Sequence, residues 1–148
     1  MKTIKDILAK STSHFNTING DANVIDALAL MKTENMSYVI VMDNGNYKGI
    51  MSERDYSQKV VLAGKNSHQT KVKEILSNDV PVVNIDESLD RCKELMLAFK
   101  TFYLPVFNDF SFKGVVSLQD LLHATVDELK EKEQIKRSNS AGQQQYWI

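Results

Sequence analysis

The chain repeats itself. Residues 15–61 align with residues 80–126 without a gap, and 11 of the 47 aligned pairs are identical, where ordinary amino-acid frequencies would give roughly three by chance. A short amphipathic segment, residues 4–8 in the first copy and 72–76 in the second, precedes each block. Because a repeat of this size is one supersecondary unit that buries its apolar face against its neighbour, we expect two similar units packed together.

Within each copy the hydrophobic pattern changes in the same order. A short extended run is followed by apolar residues at helical spacing, then by two runs rich in β-branched or aromatic residues around a turn, and finally by a helix that begins at a serine. In the first copy these segments are residues 15–18, 21–35, 38–42, 47–51 and the helix from Ser52; in the second they are 80–85, 86–100, 103–107, 112–116 and the helix from Ser117. The order predicts an α/β (α+β) fold of two β-α-β-β-α units, each a small sheet with helices on one face.

The segments outside the repeats set the expected boundaries. Residues 63–71 break the hydrophobic pattern and connect the two units. We therefore expect residues 1–65 to form the first repeat with its N-terminal linker helix, and residues 66–136 to form the second with its own linker helix. Residues 137–148 are expected to be a polar C-terminal tail that frays, although it closes on aromatic residues.

Composition excludes several classes of function. The net charge of -1 gives no general attraction for nucleic acid or an anionic membrane. No apolar run approaches the roughly 20 residues that span a bilayer, so we expect a cytoplasmic protein. The single cysteine, Cys92, is expected to be a small buried side chain. Since His14, His68 and His123 lie far apart in the sequence, we expect neither a metal site nor a catalytic set.

One motif occurs in both copies and could carry chemistry. Residues 49–56, Gly-Ile-Met-Ser-Glu-Arg-Asp-Tyr, correspond to residues 114–121, Gly-Val-Val-Ser-Leu-Gln-Asp-Leu. Ser-x-x-Asp at the start of a helix is typical of a capping box, which satisfies free backbone amides. A helix start after a strand can also bind phosphate, and a carboxylate there can accept hydrogen bonds from ribose hydroxyls. Both interpretations stay open.

These residues carry a family resemblance. The Gly-h-h-Ser-x-x-Asp element in both copies (h is apolar), the strand Leu104-Pro105-Val106 and the β-α-β-β-α order resemble the CBS-domain family. The similarity is greatest to stand-alone two-repeat members with Ser-Glu-Arg-Asp-Tyr followed by Lys59-Val60, and it covers roughly residues 1–130. It implies a pair of CBS repeats, a Bateman module, packed about a pseudo-twofold axis with two clefts for adenosine-containing ligands.

The resemblance also implies a set of site residues. Ribose or phosphate contacts are expected from Ser52, Arg54, Asp55, Lys59, Ser117 and Asp120, and adenine contacts from Ile18, Val39, Val83 and Leu104. The two copies differ, since Arg54 and Lys59 have the uncharged counterparts Gln119 and Ala124. Charge-assisted hydrogen bonds favour phosphate, so the pocket that Arg54 serves is expected to prefer phosphorylated ligands.

Our leading functional hypothesis is a regulatory module without catalytic activity. It would bind AMP, ADP or ATP, require no cofactor and transmit its ligand state to an unknown effector protein. The alternatives are an interaction scaffold without a physiological nucleotide, and a binder of another adenosyl ligand such as NADH or S-adenosylmethionine. We also expect a homodimer, because the closing helices carry more apolar surface than one small sheet covers. The residues concerned are Val60, Val61, Leu62, Leu121, Leu122 and Val126.

Overall fold

A computed structural model describes residues 2–10 and 16–145. The predicted start of the first strand at Phe15, the side chain of His14 and the aromatic end of the chain lie outside the described residues. The elements in chain order are α1 (Ile4–Lys10), β1 (Thr17–Ile18), α2 (Val24–Glu34), β2 (Tyr38–Asp43), β3 (Asn46–Ser52), α3 (Glu53–Tyr56), a π-helical segment (Ser57–Val61), a 3-10 turn (Val72–Glu74), β4 (Val83–Asn84), α4 (Leu89–Phe99), β5 (Tyr103–Asn108), β6 (Ser111–Ser117) and α5 (Leu118–Gln145).

The strands form two three-stranded sheets, ordered β1-β2-β3 and β4-β5-β6. In each sheet the first strand runs parallel to the second, and the second pairs antiparallel with the third. The registers correspond: Tyr38 faces Ser52 in one sheet, and Tyr103 faces Ser117 in the other. The predicted pair of β-α-β-β-α units is confirmed.

Each sheet buries one face under its own helices. The first core contains Val24, Ala27, Met31, Val39, Val41, Met51 and Val60, and the second contains Leu89, Cys92, Met96, Leu104, Val106, Val116 and Leu121. Cys92 is buried, as predicted, and burial raises the pKa of its thiol to about 12.

The opposite faces of the two sheets pack against each other. This third apolar cluster joins Tyr38, Ile40 and Ile50 of the first repeat to Val115 of the second. At its edge the rings of Tyr38 and Tyr103, equivalent residues of the two repeats, have centroids 4.3 Å apart. The tyrosine pair therefore marks the pseudo-twofold relation and lies between two clefts.

The linkers are exchanged between the repeats. Ile4 of α1 is buried in the core of the second repeat, and the Lys5 backbone amide donates to the Ile85 carbonyl at 3.0 Å. Val72 and Ile75 are instead buried in the core of the first repeat. Each predicted unit is continuous in sequence, but in space each linker packs on the other repeat.

Helix α5 does not stop at the predicted boundary near residue 137. It continues to Gln145, and an ion pair between Arg137 and Glu133 at 3.0 Å spans one turn of the segment. The helix is continuous over this stretch, although only Arg137, Ala141 and the three glutamines from residue 143 to residue 145 are good helix formers. In the described part of the chain, no helix has the length and apolar character needed to cross a bilayer.

Candidate functional site

Two clefts lie on either side of the tyrosine pair. Each is formed by the Ser-x-x-Asp element of one repeat and the helix-to-strand connection of the other. The Asp55 cleft has a volume of about 540 Å³ and is lined by Ser52, Glu53, Arg54, Asp55, Lys59, Ser77, Asp79, Val80 and residues 99–103, among others. The Asp120 cleft has a volume of about 1000 Å³ and is lined by Ser117, Leu118, Gln119, Asp120, Val115, Leu28, Met31, Lys32, residues 34–38, Glu53 and Tyr103, among others.

The structure forms a capping box at both motifs. In the first repeat the Asp55 amide donates to Ser52 Oγ at 3.2 Å, and the Ser52 amide donates to Asp55 Oδ2 at 2.9 Å. In the second the corresponding distances between Ser117 and Asp120 are 3.2 Å and 2.9 Å. These bonds satisfy backbone amides at the helix starts, so the structural interpretation of Ser-x-x-Asp is confirmed in both copies.

The Asp55 carboxylate is fully engaged inside the protein. Beyond the capping bond, Oδ2 accepts from Ser52 Oγ at 3.0 Å, and Oδ1 accepts from Ser77 Oγ at 2.7 Å and from Lys59 Nζ at 2.9 Å. The residue is only 7% exposed. Since an ionised carboxylate offers about four lone-pair positions, these donors fill its acceptor capacity.

Lys59 joins this carboxylate to the second linker. Its Nζ also donates to the Ile75 carbonyl and to Ser77 Oγ, both at 3.1 Å. Its side chain is nevertheless 42% exposed. The lysine therefore ties the segment after α3 to the linker from the solvent side of the cleft.

The glycine of the motif allows that linker to approach. Ile50 and Ser77 exchange backbone hydrogen bonds of 2.9 and 2.8 Å beside it. A Cβ added at Gly49 would lie 2.7 Å from the Ser77 carbonyl oxygen and 2.7 Å from a Leu76 methyl group. The glycine therefore serves the contact between strand and linker that places Ser77 against Asp55.

The Asp120 carboxylate has a different environment. Within the described residues its Oδ2 accepts from the Ser117 amide and no other hydrogen bond reaches it. It is half-buried at the cleft surface, and position 124, equivalent to Lys59, is alanine. Most of its acceptor capacity is therefore directed at the cleft.

Aromatic and apolar side chains line the Asp120 cleft beside this carboxylate. Tyr38 and Tyr103 both border the cleft, together with Val115 and Leu118. Burial, reinforced by the charge of Asp120, raises the pKa of Tyr38 to about 12. Burial also raises the pKa of Tyr103, whose hydroxyl is hydrogen-bonded to Ser37 Oγ. Both phenols are therefore neutral at physiological pH.

Charge also separates the two clefts. Arg54 lines the Asp55 cleft, where its guanidinium donates to the Lys100 carbonyl at 3.0 Å. Lys59 and Lys100 line the same cleft, together with the acidic residues Glu53, Asp55 and Asp79, so its cations and anions are equal in number. By contrast, Lys32 is the one cation among the described residues that line the Asp120 cleft, and Glu34, Glu53 and Asp120 accompany it.

None of the four predicted adenine contacts is among the residues that line the clefts. Val39 and Leu104 are completely buried in the helix-covered cores, and Val83 is 4% exposed. Ile18 packs at the edge of the first core. Side chains alternate between the faces of a strand, so the neighbours Tyr38 and Tyr103, rather than Val39 and Leu104, point toward the clefts.

The remaining predicted residues gather as two groups. Ser52, Arg54, Asp55 and Lys59 line one cleft, and Ser117 and Asp120 line the other. Sequence reasoning did not identify Ser77, whose position directly after the repeated linker segment was the available signal. Within the described residues, no group of three potential metal ligands occurs.

The family model for the CBS domain matches residues 4–61 and 72–127. The chain belongs to the CBS-domain family. It is 30% identical over 125 residues to the mitochondrial CBS domain-containing protein CBSX3 of Arabidopsis thaliana, covering 81% of this chain and 60% of that protein. It thus spans less than two thirds of that relative's length.

Solved structures agree with this assignment. A CBS-domain protein from Burkholderia ambifaria is 30% identical, with a TM-score of 0.79, covering 85% of this chain and 95% of that one. A hexameric CBS-CP12 protein from bloom-forming cyanobacteria is 28% identical, with a TM-score of 0.68, covering 82% of this chain and 70% of that one. CBS domains are regulatory modules that often bind adenosyl ligands.

Proposed function

We propose that this CBS pair is a regulatory module that binds an adenine nucleotide, AMP, ADP or ATP, and transmits its ligand state to an effector protein. The observation that carries the proposal is the Asp120 cleft. Its volume of about 1000 Å³ is at the upper end of the range of small-molecule sites. A carboxylate with open acceptor positions lies there beside apolar and aromatic side chains, which suits a nucleoside.

The contacts can be assigned by chemistry. Vicinal ribose hydroxyls would donate to Asp120, and the Ser117 hydroxyl, which already accepts from the Asp120 amide, can donate outward. The purine ring would lie against Tyr38, Tyr103, Val115 and Leu118 side chains, since aromatic and apolar surfaces favour a flat, weakly hydrated base.

We propose binding without catalysis. A hydrolytic or transfer reaction would use a nucleophile beside a general base. The described residues that line the clefts include neither histidine nor cysteine, and the two serine hydroxyls that donate to Asp55 are engaged in the helix cap and in the contact with Lys59. The nucleotide would therefore be released unchanged, and absence of phosphate release on prolonged incubation with ATP is the expected result.

Thermal unfolding with a ligand panel tests the function. At about 100 times the dissociation constant a ligand adds roughly 2.7 kcal/mol to the free energy of unfolding, which for a chain of this size raises the melting temperature by roughly 5–10 °C. Asp120→Asn, which keeps the side-chain shape, is the matched control and should lose the shift at the Asp120 cleft. If millimolar adenine nucleotides leave the midpoint unchanged, the protein is instead an interaction scaffold.

One observation favours a second class of ligand at the Asp120 cleft. Lys32 is accompanied there by Glu34, Glu53 and Asp120, so the local charge is negative. A negative cleft disfavours a free phosphate tail and suits an adenosyl compound with a cationic group. The panel should therefore include S-adenosylmethionine and NADH; a larger shift with S-adenosylmethionine than with AMP would identify this alternative.

We also propose that the chain forms a homodimer through the helices that close the two repeats. Val60 and Leu121 are buried within the chain, but Val61, Leu62, Leu122 and Val126 are 55%, 80%, 54% and 46% exposed. Assembly of the hexameric CBS-CP12 relative supports oligomerisation in this fold.

Light scattering at micromolar concentration tests the dimer. Leu122→Glu should shift the mass toward that of a monomer, since it places a charge in the proposed apolar contact. Ile135→Glu, at a side chain 61% exposed further along α5, is the matched control and should keep the dimer mass. A monomer mass for the unmodified chain would refute the proposal.

A further inference from the structure

The two aspartates of the repeated motif differ in what a ribose could reach. Both oxygens of Asp55 are occupied by donors from Ser52, Ser77 and Lys59. A ribose diol binds a carboxylate by donating hydrogen bonds to it, so it has to displace one of these donors. At Asp120 a ribose has no donor to displace, because most of the hydrogen-bond acceptor positions of its carboxylate are open to the cleft.

Of the three residues that donate to the Asp55 carboxylate, Lys59 is the one that can move away. The capping box holds Ser52 Oγ in place beside the carboxylate, and paired backbone bonds to Ile50 hold the main chain of Ser77 there, so neither residue can move away as a whole. Lys59 is on a flexible four-carbon stem and its side chain is 42% exposed. A neutral nucleoside that displaced Lys59 would give its ammonium group no new charged partner. The lysine would lose its ion pair with Asp55 and its bonds to the Ile75 carbonyl and Ser77 Oγ, and charge-assisted hydrogen bonds are stronger than neutral ones.

A phosphate group changes this balance. An anion in the Asp55 cleft offers the ammonium group of Lys59 a new charged partner, and Arg54 and Lys100 line the same cleft. Lys59 could then move from Asp55 to the phosphate and leave an acceptor position for the ribose. Phosphate and ribose recognition would be coupled through a single side chain.

We infer that Lys59 is the specificity-determining residue of the Asp55 cleft. It lowers the affinity for unphosphorylated nucleosides by occupying Asp55, and a nucleotide relieves this competition because its phosphate binds the lysine. This inference rests on the proposed function, because it assumes an adenine ligand. Ala124 occupies the equivalent position in the second repeat, so in the Asp120 cleft no lysine has to be displaced before adenosine can bind.

Calorimetry in an Asp120→Asn background isolates the Asp55 cleft. AMP should bind at least roughly tenfold more tightly than adenosine, the ratio expected from one charge-assisted contact. Adding Lys59→Ala should increase adenosine affinity roughly tenfold and reduce the ratio to within about threefold. Lys59→Arg, which keeps the cation, should restore the preference for AMP. A gain in adenosine affinity distinguishes this role from a structural one, since loss of packing does not create binding.

Stoichiometry in the unmodified chain is a second measurement that does not depend on the Asp120→Asn protein being folded. At equal concentration AMP should fill more sites per chain than adenosine, because the Asp55 cleft is expected to bind adenosine at least roughly tenfold more weakly than AMP. Equal filling of the Asp55 cleft by the two compounds, or an AMP-to-adenosine ratio that Lys59→Ala leaves unchanged, would overturn the inference. So would an Asp55 cleft that binds neither compound with or without Lys59; the proposed function would then still stand on the Asp120 cleft. If the unmodified chain binds no adenine compound at either cleft, it is the proposed function that fails.

Discussion

The Asp55 and Asp120 clefts contain the same four-residue motif, but the two aspartates differ in how many hydrogen bonds they accept from the protein. In both, the serine and aspartate close a capping box with nearly identical distances. In the first, a lysine one turn later and a serine from the linker add further donors, and the carboxylate becomes part of the protein's interior. The motif therefore determines where the helix begins, whereas its neighbours determine whether the aspartate can bind a ligand.

The largest effect should come from removing each carboxylate in turn. Asp55→Ala breaks the contacts to Ser52, Ser77 and Lys59 and should lower the free energy of unfolding by about 2–4 kcal/mol, discounted because Lys59 can be solvated. Asp120→Ala loses mainly a helix cap and should cost about 0.5–2 kcal/mol. Urea unfolding of both variants measures the difference; equal costs would show that the two aspartates have the same role.

A smaller effect should follow from pushing the linker away from the Asp55 cleft. Gly49→Ala places a methyl group 2.7 Å from the Ser77 carbonyl oxygen and should cost about 1–3 kcal/mol through overpacking. Gly45→Ala, at a hairpin turn with open space around it and φ of 78°, is the control and should cost about 1 kcal/mol from backbone strain alone. If the two variants unfold at the same urea concentration, the linker contact contributes little.

Arg54→Ala tests whether a positive charge gives the Asp55 cleft its preference for phosphorylated ligands. In the Asp120→Asn background AMP affinity for the Asp55 cleft should fall about tenfold, which corresponds to about 1.4 kcal/mol, while adenosine affinity stays nearly the same. Isothermal titration with both compounds measures this. Equal losses for AMP and adenosine would return Arg54 to the role of a surface charge that donates to the Lys100 carbonyl.

The smallest effect on stability should come from a substitution at Tyr103, which lines both clefts. Tyr103→Phe removes the hydroxyl contact to Ser37 and should cost about 0.5–1.5 kcal/mol of stability. Since Tyr103 lines both clefts, ligand affinity should change by similar factors at each. A change confined to one cleft, measured with adenosine and AMP, would show that Tyr103 does not contribute to ligand binding in both clefts.

Local patterns made the fold predictable. The repeat, the order of elements and the helix starts at Ser52 and Ser117 depend on hydrophobic period and capping, which neighbouring residues encode. The face of each strand was not predictable in the same way. All four residues from Tyr38 to Val41 are buried, because one face of the sheet packs on helices and the other on the second sheet. Alternation of polar and apolar residues is then absent, and Val39 could not be distinguished from Tyr38 as a cleft residue.

The environment of Asp55 could not be predicted for a different reason. Ser77 lies 22 residues along the chain from it and reaches it only after the linker has packed beside Gly49. Lys59 was identified as a cation near the motif, but its choice of Asp55 over a ligand depends on distances that a sequence does not specify.

The exchanged linkers also bear on how the chain is made. Ile4 leaves the ribosome early, yet the core that buries it is built from residues such as Val83, Leu104 and Leu121, which are synthesised later. The first repeat likewise gains Val72 and Ile75 only after its own strands are complete. During translation the apolar side of α1 therefore has no core to pack against until the second repeat has been synthesised. Docking of α1 can only follow the synthesis of both halves of the protein.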